Sequence, residues 1–441
     1  MTTATRATRT LPATATAATP RTPPRSSVPS LPSLTGLRWM AALLVFGLHV
    51  RNFGYFGGTG GRIMTWGFGA GATGVSFFFV LSGFVLMWSA RPGDRTLTFW
   101  RRRIARIYPV HLVTVAIALL MACTLDHGAR PEPLQGVANV LLVHSWWRPW
   151  WQTLDPVSWS LACEAFFYAA FPLLALLVRR LGARGAVALA GVSVLTVVVL
   201  SRVDAHQWLS QPVNSLPAAR LPEFVLGAAV ARLVILDRWR GPGLEASLAV
   251  AIIGYFFVPQ VTAGYPATPC TLIGFALLIP AAAVADLRDL PSLWRHRRLV
   301  RLGELSFAFY MVHLLVLRAG THLLGPSPRF GLPTALAVTA VAFALSLGLA
   351  WVLYEAVERP GRRLLLRKRR SAPQRPAKAP EPGSRALDAP AEAPARSAPA
   401  VGGGPGSGTD RADDGAGHRP SVPSPDSRHD PRDGRETRRI E

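Results

Sequence analysis

Ten apolar stretches, each long enough to cross ~30 Å of hydrocarbon as a helix rising ~1.5 Å per residue, recur along this 441-residue chain. They run over residues 36–54, 67–90, 108–124, 158–179, 185–201, 220–236, 244–261, 268–285, 303–324 and 332–357. Backbone polar groups in hydrocarbon must be satisfied inside the protein, which at this segment length means helices. Half of the residues are hydrophobic and only 17% are charged. The mean hydropathy is +0.26 despite long polar ends. These features exclude a soluble chain and predict an all-α, polytopic membrane bundle of about ten transmembrane helices.

The ends read differently. Residues 1–34 are rich in Thr, Ala and Pro, with scattered Arg and no apolar core or cleavage signal, so they predict a disordered tail rather than a signal peptide. The membrane domain is expected over 35–366, and a second disordered tail, rich in Pro, Ala and Gly, over 371–441. That second tail balances eleven Arg or Lys against eleven Asp or Glu, so the formal charge of +23 belongs to the rest of the chain. Arginines cluster at 91–106, at Arg179, Arg180 and Arg184, at Arg232, Arg238 and Arg240, at 288–301 and at 359–370. With the amino terminus inside, every cluster falls in or beside a cytoplasmic loop, as the positive-inside rule requires. The basic charge is therefore a topology signal, with no nucleic-acid partner implied. Both termini are expected in the cytoplasm and the chain in the cell membrane, its spans in contact with the lipid bilayer.

Among the ionisable residues within the apolar runs, Arg38, His49 eleven residues later, and Glu164 stand out. Such groups are costly in hydrocarbon unless paired or facing a wet cavity, so they mark a functional site. Counting helix rise, His49 lies ~20 Å from the inner end of the first span, and Glu164 ~9 Å below the outer end of the fourth. The two depths agree within a turn. Cys123, Cys163 and Cys270 lack paired spacing and read as packing residues. No Walker loop, dinucleotide-binding glycine turn or HExxH helix occurs, and no metal site is expected.

Seven segments occur in order: LTGLRWMAALLVFGLH, GATGVSFFFVLSGF, FWRRRIARIYPVH, DPVSWSLACEAFFYAAFP, RLPEFVLG, LGELSFAFYMVH and YEAVERP. Together they resemble the integral-membrane acyltransferase 3 family, which includes O-antigen acetylases and macrolide-sugar acyltransferases, over about residues 34–362. The resemblance implies transfer of an acyl group, often acetyl, from a cytoplasmic acyl-coenzyme A to a hydroxyl of a sugar, glycan or glycosylated small molecule. No permanently bound cofactor is implied. The family's Arg-x10-His signature maps onto Arg38 and His49, its RxxR onto Arg103 and Arg106, its SGF onto Ser82, Gly83 and Phe84, and its membrane glutamate onto Glu164.

That reaction gives the residues roles. A hydroxyl attacking a thioester needs a base near pH 7, which suits His49. Glu164 is expected to hold the ring's tautomer, as an acid does in a triad, or else to form a helix-packing ion pair. Coenzyme A phosphates suit Arg38 and the run Arg101, Arg102, Arg103 and Arg106, although that run also serves as a membrane anchor. Gly71, Gly74 and Gly83 allow close helix approach, while Ser82, Ser158, Trp159 and His313 are candidates for contact with substrate or oxyanion. Trp146, Trp147, Trp150 and Trp151 read as an interfacial belt or a sugar platform. Glu304, Glu355 and Glu358 read as structural ion pairs. A proton-coupled transporter using His49 and Glu164 as a relay stands as the alternative, although no internal repeat supports it.

Overall fold

A computed structural model describes residues 29–91, 93–125, 130–205, 213–257 and 268–366. Most of both expected tails, and residues 258–261 of the seventh apolar stretch, lie outside these. The helices are α1 (Pro32–Asn52), α2 (Gly58–Phe68), α3 (Thr73–Ser89), α4 (Thr96–Thr124), α5 (Pro133–Val140), α6 (Ser158–Arg180) and α7 (Ala183–Ala205). They continue with α8 (Pro217–Ile235), α9 (Leu244–Phe257), α10 (Thr268–Leu287), α11 (Arg297–Leu324), α12 (Leu332–Leu353) and α13 (Arg359–Leu366). α1 begins at Pro32, just before the expected domain boundary, with proline suited to the first helical turn.

The described part of each apolar stretch is mostly helical, with a turn at 69–72 between α2 and α3, but the expected count of ten spans is not reached. Among the described residues eight helices are long and apolar enough to cross a membrane. The other two fall short for different reasons: α8 carries Arg220, Glu223 and Arg232, and α9 has 14 residues. The multi-pass, all-α membrane architecture stands on the eight.

Close packing follows from small residues. A side chain on Gly83 of α3 would strike the Phe224 carbonyl of α8, and one on Gly227 would strike that of Val80, so these two backbones touch. Aromatic rings fill the rest. Trp39 and Phe46 of α1 meet Phe309 of α11 with centroids 5.1 and 5.6 Å apart. Phe79, Phe167 and Phe224 tie α3, α6 and α8 together at 5.0–5.1 Å.

Two segments depart from regular α-helix. The connection from α5 to α6 is partly buried: His144 and Asp155 within it, like Asn139 and Ser158 at the ends of the flanking helices, are 0% exposed, and Leu142 and Leu154 take positive φ. α12 ends in a π-helical turn, Tyr354–Glu358, before α13.

Candidate active site

A cavity of ≈ 460 Å³ opens beside the N-terminal end of α1. Pro29, Leu31, Trp88 and Ser89 line its mouth, and Val75, Phe78, Ser160 and Tyr310 line its inner end. Arg38, Arg103, Arg106 and Glu164 converge on it from α1, α4 and α6. Arg103 and Arg106 stand three residues apart and so share a helix face. Arg38 lies in the electrostatic range of Arg106, Glu164, Glu358 and Tyr168. The Glu164 carboxylate accepts a 2.5 Å hydrogen bond from the Tyr168 hydroxyl, and the Arg103 guanidinium stacks on the rings of Phe99 and Tyr168. The π turn brings Glu358, 6% exposed, within range of Arg38 and Arg106. Glu358 therefore belongs to the cavity's charge cluster. Glu304 and Glu355 instead form the expected structural ion pairs, both with Arg301 and the latter also with Arg359.

His49 sits ~16 Å further along α1 than Arg38, by helix rise. Its Nδ1 lies 2.9 Å from Nε2 of His313, which is 0% exposed. The tautomers follow from the partners. His313 Nδ1 faces two carbonyls, those of Tyr310 at 2.7 Å and Phe309 at 3.2 Å. A carbonyl only accepts, so Nδ1 carries the proton and Nε2 of a neutral His313 accepts. His49 then donates through Nδ1–H, which leaves its Nε2 lone pair unprotonated and available as a base. No sequence pattern distinguished this role for His313 from cavity lining.

The expected partnership of His49 with Glu164 is not formed. Glu164 faces the arginine cavity and bonds Tyr168, while His49 bonds His313. Equal counted depth does not make two side chains face each other: Glu164 points toward the arginines of the cavity, and Ser158 at the start of its helix is 0% exposed. Arg101 and Arg102 do not line the cavity either. One donates to the Leu365 carbonyl at 2.7 Å and the other pairs with Asp94 at 3.4 Å, because successive helical residues point ~100° apart.

Ser82 does line the cavity. Ser158 does not: its hydroxyl donates to the Asp155 carbonyl at 2.6 Å and lies 3.1 Å from His144 Nε2, in the buried connection. This connection lies outside the membrane-spanning helices, and burial drives its titrating groups toward neutrality. Desolvation raises the Asp155 carboxyl to about 7, against the lowering pull of the Val157 backbone, Thr114 and Arg318. Desolvation, then His111, lowers His144 to about 4.

Trp159 packs its ring 6.2 Å from that of Phe79 and 5.9 Å from the Arg220 guanidinium. Arg220 and Glu223, 2% and 0% exposed, form a 2.9 Å ion pair, and Arg220 also bonds Ser76 at 3.0 Å. Only the RLPEFVLG segment hinted at this pair. At the opposite end of α1, Arg51, Asn52, Arg62, Thr65, Trp66 and Arg329 line an open groove with no acidic residue.

Charged groups gathered around a membrane cavity, whose Tyr310 stands one turn of α11 from the His313 that bonds His49, are the equipment of an intramembrane group-transfer enzyme. A family profile described as an acyltransferase domain, that of the acyltransferase 3 family, matches residues 31–355. The acyltransferase MdmB of Streptomyces mycarofaciens is similar, at 38% identity over 364 residues, covering 76% of this chain and 92% of the relative. No solved structure matches. The chain belongs to the acyltransferase 3 family and is a multi-pass membrane acyltransferase, which needs an acyl donor and an acceptor.

Proposed function

We propose that this acyltransferase moves an acyl group, acetyl in the simplest case, from acyl-coenzyme A to a hydroxyl of a sugar, glycan or glycosylated metabolite. The observation that carries the reading is the convergence of Arg38, Arg103 and Arg106 on one cavity whose inner end is lined by Tyr310, one helical turn from His313. Guanidinium groups offer planar, multidentate donors to phosphate oxygens, so the three arginines suit the coenzyme's charged end. Glu164 and Glu358 keep that cluster from carrying an uncompensated triple charge when no donor is bound. The slender pantetheine arm then follows the cavity inward with its thioester. His49 Nε2 takes the proton of the acceptor hydroxyl, and His313 holds the ring so that this nitrogen stays unprotonated.

The acceptor approaches from the opposite end of α1, where Trp66 and the polar groove residues offer stacking and hydrogen bonds. The arginine-rich helix ends and the cavity mouth face the cytoplasm, with both tails, in the cell membrane. The test supplies radiolabelled acetyl-coenzyme A to the purified protein with an extract of sugar-bearing acceptors and follows label into ester. The expected result is base-labile label that depends on His49. Equal labelling by wild type and His49→Ala overturns the base assignment. Uptake of an unmodified compound into vesicles, without ester formation, overturns the whole reading.

A further inference from the structure

An acyl transfer through a tetrahedral intermediate needs a donor aimed at the carbonyl oxygen as it becomes negative. The hydroxyls lining the cavity differ sharply in what their protons are doing. Ser306 donates to the Gly303 carbonyl at 2.8 Å and Ser89 to that of Val85 at 2.7 Å, each bonding back onto its own helix. Ser160 does the same with Val157 at 3.1 Å. Tyr310 is different, because a phenol at the end of a rigid ring does not reach its own helix's carbonyls. Its hydroxyl crosses to α6, where it meets Ser160 Oγ at 2.8 Å and the Val157 carbonyl at 3.3 Å.

Proton counting makes Tyr310 the available donor. With the Ser160 proton on Val157, the 2.8 Å bond is donated by Tyr310. If an incoming oxyanion takes that proton instead, Ser160 loses only an accepted bond and keeps the one it donates. A lone pair left unpaired costs far less than an orphaned N–H or O–H.

Position agrees with the chemistry. Tyr310 lies at the inner end of the cavity, with its ring 6.0 Å from Phe78 and 5.8 Å from His313. Its own carbonyl anchors His313, which in turn orients His49. Ser82 lies about a turn nearer the mouth than Phe78, toward Trp88 and Ser89, at the level of the arginines. One helix, α11, thus sets both the donor and the support of the base.

Resting on the acyl-coenzyme A reading above, we infer that Tyr310, steadied by Ser160, binds the thioester carbonyl of the acyl donor and stabilises its oxyanion. The acceptor oxygen bonds to the carbonyl carbon, the C=O pair moves onto oxygen and is held by the Tyr310 O–H, and the acceptor proton passes to His49 Nε2. The C–S bond then breaks with its electron pair on sulfur, which takes that proton and leaves as the coenzyme thiol. The ester and free thiol account for every atom.

The experiment measures thiol release from acetyl-coenzyme A by the purified full-length protein in lipid nanodiscs, with water as the acceptor. Tyr310→Phe is expected to lower kcat by ~10²–10³, the usual effect of losing one oxyanion donor, with KM for acetyl-coenzyme A within about twofold. A kcat within about threefold of wild type overturns the assignment, as does a loss confined to KM. To separate chemistry from folding, 3-fluorotyrosine at position 310 preserves the shape while strengthening the donor, and kcat is expected to change. An unchanged kcat marks a structural role and overturns the assignment. Absence of thiol release from wild type, by contrast, brings down the underlying acyl-transfer reading, and equal release by wild type and His49→Ala brings down the base assignment. Loss with His49→Ala but not with Tyr310→Phe brings down this inference alone.

Discussion

Arg38 and His49 ride on the same helix ~16 Å apart by rise, yet one sits among charges and the other among uncharged hydrogen bonds. Around Arg38 the charge is shared by Arg106, Glu164 and Glu358 beside a cavity. Around His49 a chain of neutral donors and acceptors runs through His313 to the Tyr310 carbonyl. The contrast teaches how the two ends should fail. A shared electrostatic cluster loses affinity in steps, whereas a single proton acceptor loses the reaction.

The sharpest way to break this comparison is at His49. His49→Ala is expected to cut kcat by ~10²–10⁴, the range for loss of a general base, while KM for acyl-coenzyme A stays within about twofold. Steady-state kinetics with both substrates varied would read this. A rise in KM at constant kcat would merge the two ends into one binding site.

The buried Arg220–Glu223 pair provides a charge with no cavity lining of its own. Arg220→Met leaves Glu223 uncompensated and is expected to cost ~3–5 kcal/mol of stability, whereas Arg220→Met with Glu223→Leu recovers most of it. Unfolding in mixed micelles measures both. A double variant no better than the single would show that the pair matters for more than mutual neutralisation.

At the arginine end, Arg38→Ala and Arg103→Ala are each expected to raise KM for acyl-coenzyme A by ~10–100-fold, corresponding to one charge-assisted contact, with little change in kcat. Arg101→Ala and Arg102→Ala are expected to stay within about twofold. Indistinguishable effects from all four would mean that the cluster acts as a diffuse field rather than as a site.

The smallest net effect in the unaltered protein lies in the buried connection before α6. Asp155, raised from 3.8 to about 7, stabilises the fold in its protonated form, so its contribution is complete below pH ~4 and is lost as pH rises through 7. His144, lowered from 6.5 to about 4, stabilises in its neutral form, and its contribution is lost as pH falls from 6.5 through 4. Between those limits the slopes oppose each other at ~1.4 kcal/mol per pH unit each and nearly cancel. Asp155→Asn is therefore expected to unmask a stability that climbs with pH from 4 to 6.5, seen as a rising unfolding midpoint. A flat profile in that variant would remove His144 from the account.

Much of the fold was legible because hydrocarbon imposes helices on long apolar runs, and the described part of each run is mostly helical. The charged positions were legible for a related reason: an Arg, His or Glu in such a run is too costly to be incidental. Partnership was not legible. His49 and Glu164 matched in counted depth, but depth does not fix azimuth, and the two side chains turn to different partners. Arg101 and Arg102 resemble Arg103 and Arg106 in composition and differ only in azimuth. Glu358 looked like one more structural ion-pair residue, and the π turn sets it in range of Arg38 and Arg106.

The amino-acid sequence by itself determined that this chain crosses a membrane as helices and which ionisable side chains its apolar runs have to accommodate, because burial energy acts residue by residue along the chain. Only the tertiary structure decided which of them meet. It joined His49 to His313 and Glu164 to the arginines, because helix rotation and tilt, and an irregular buried connection, are set by packing between segments far apart in sequence.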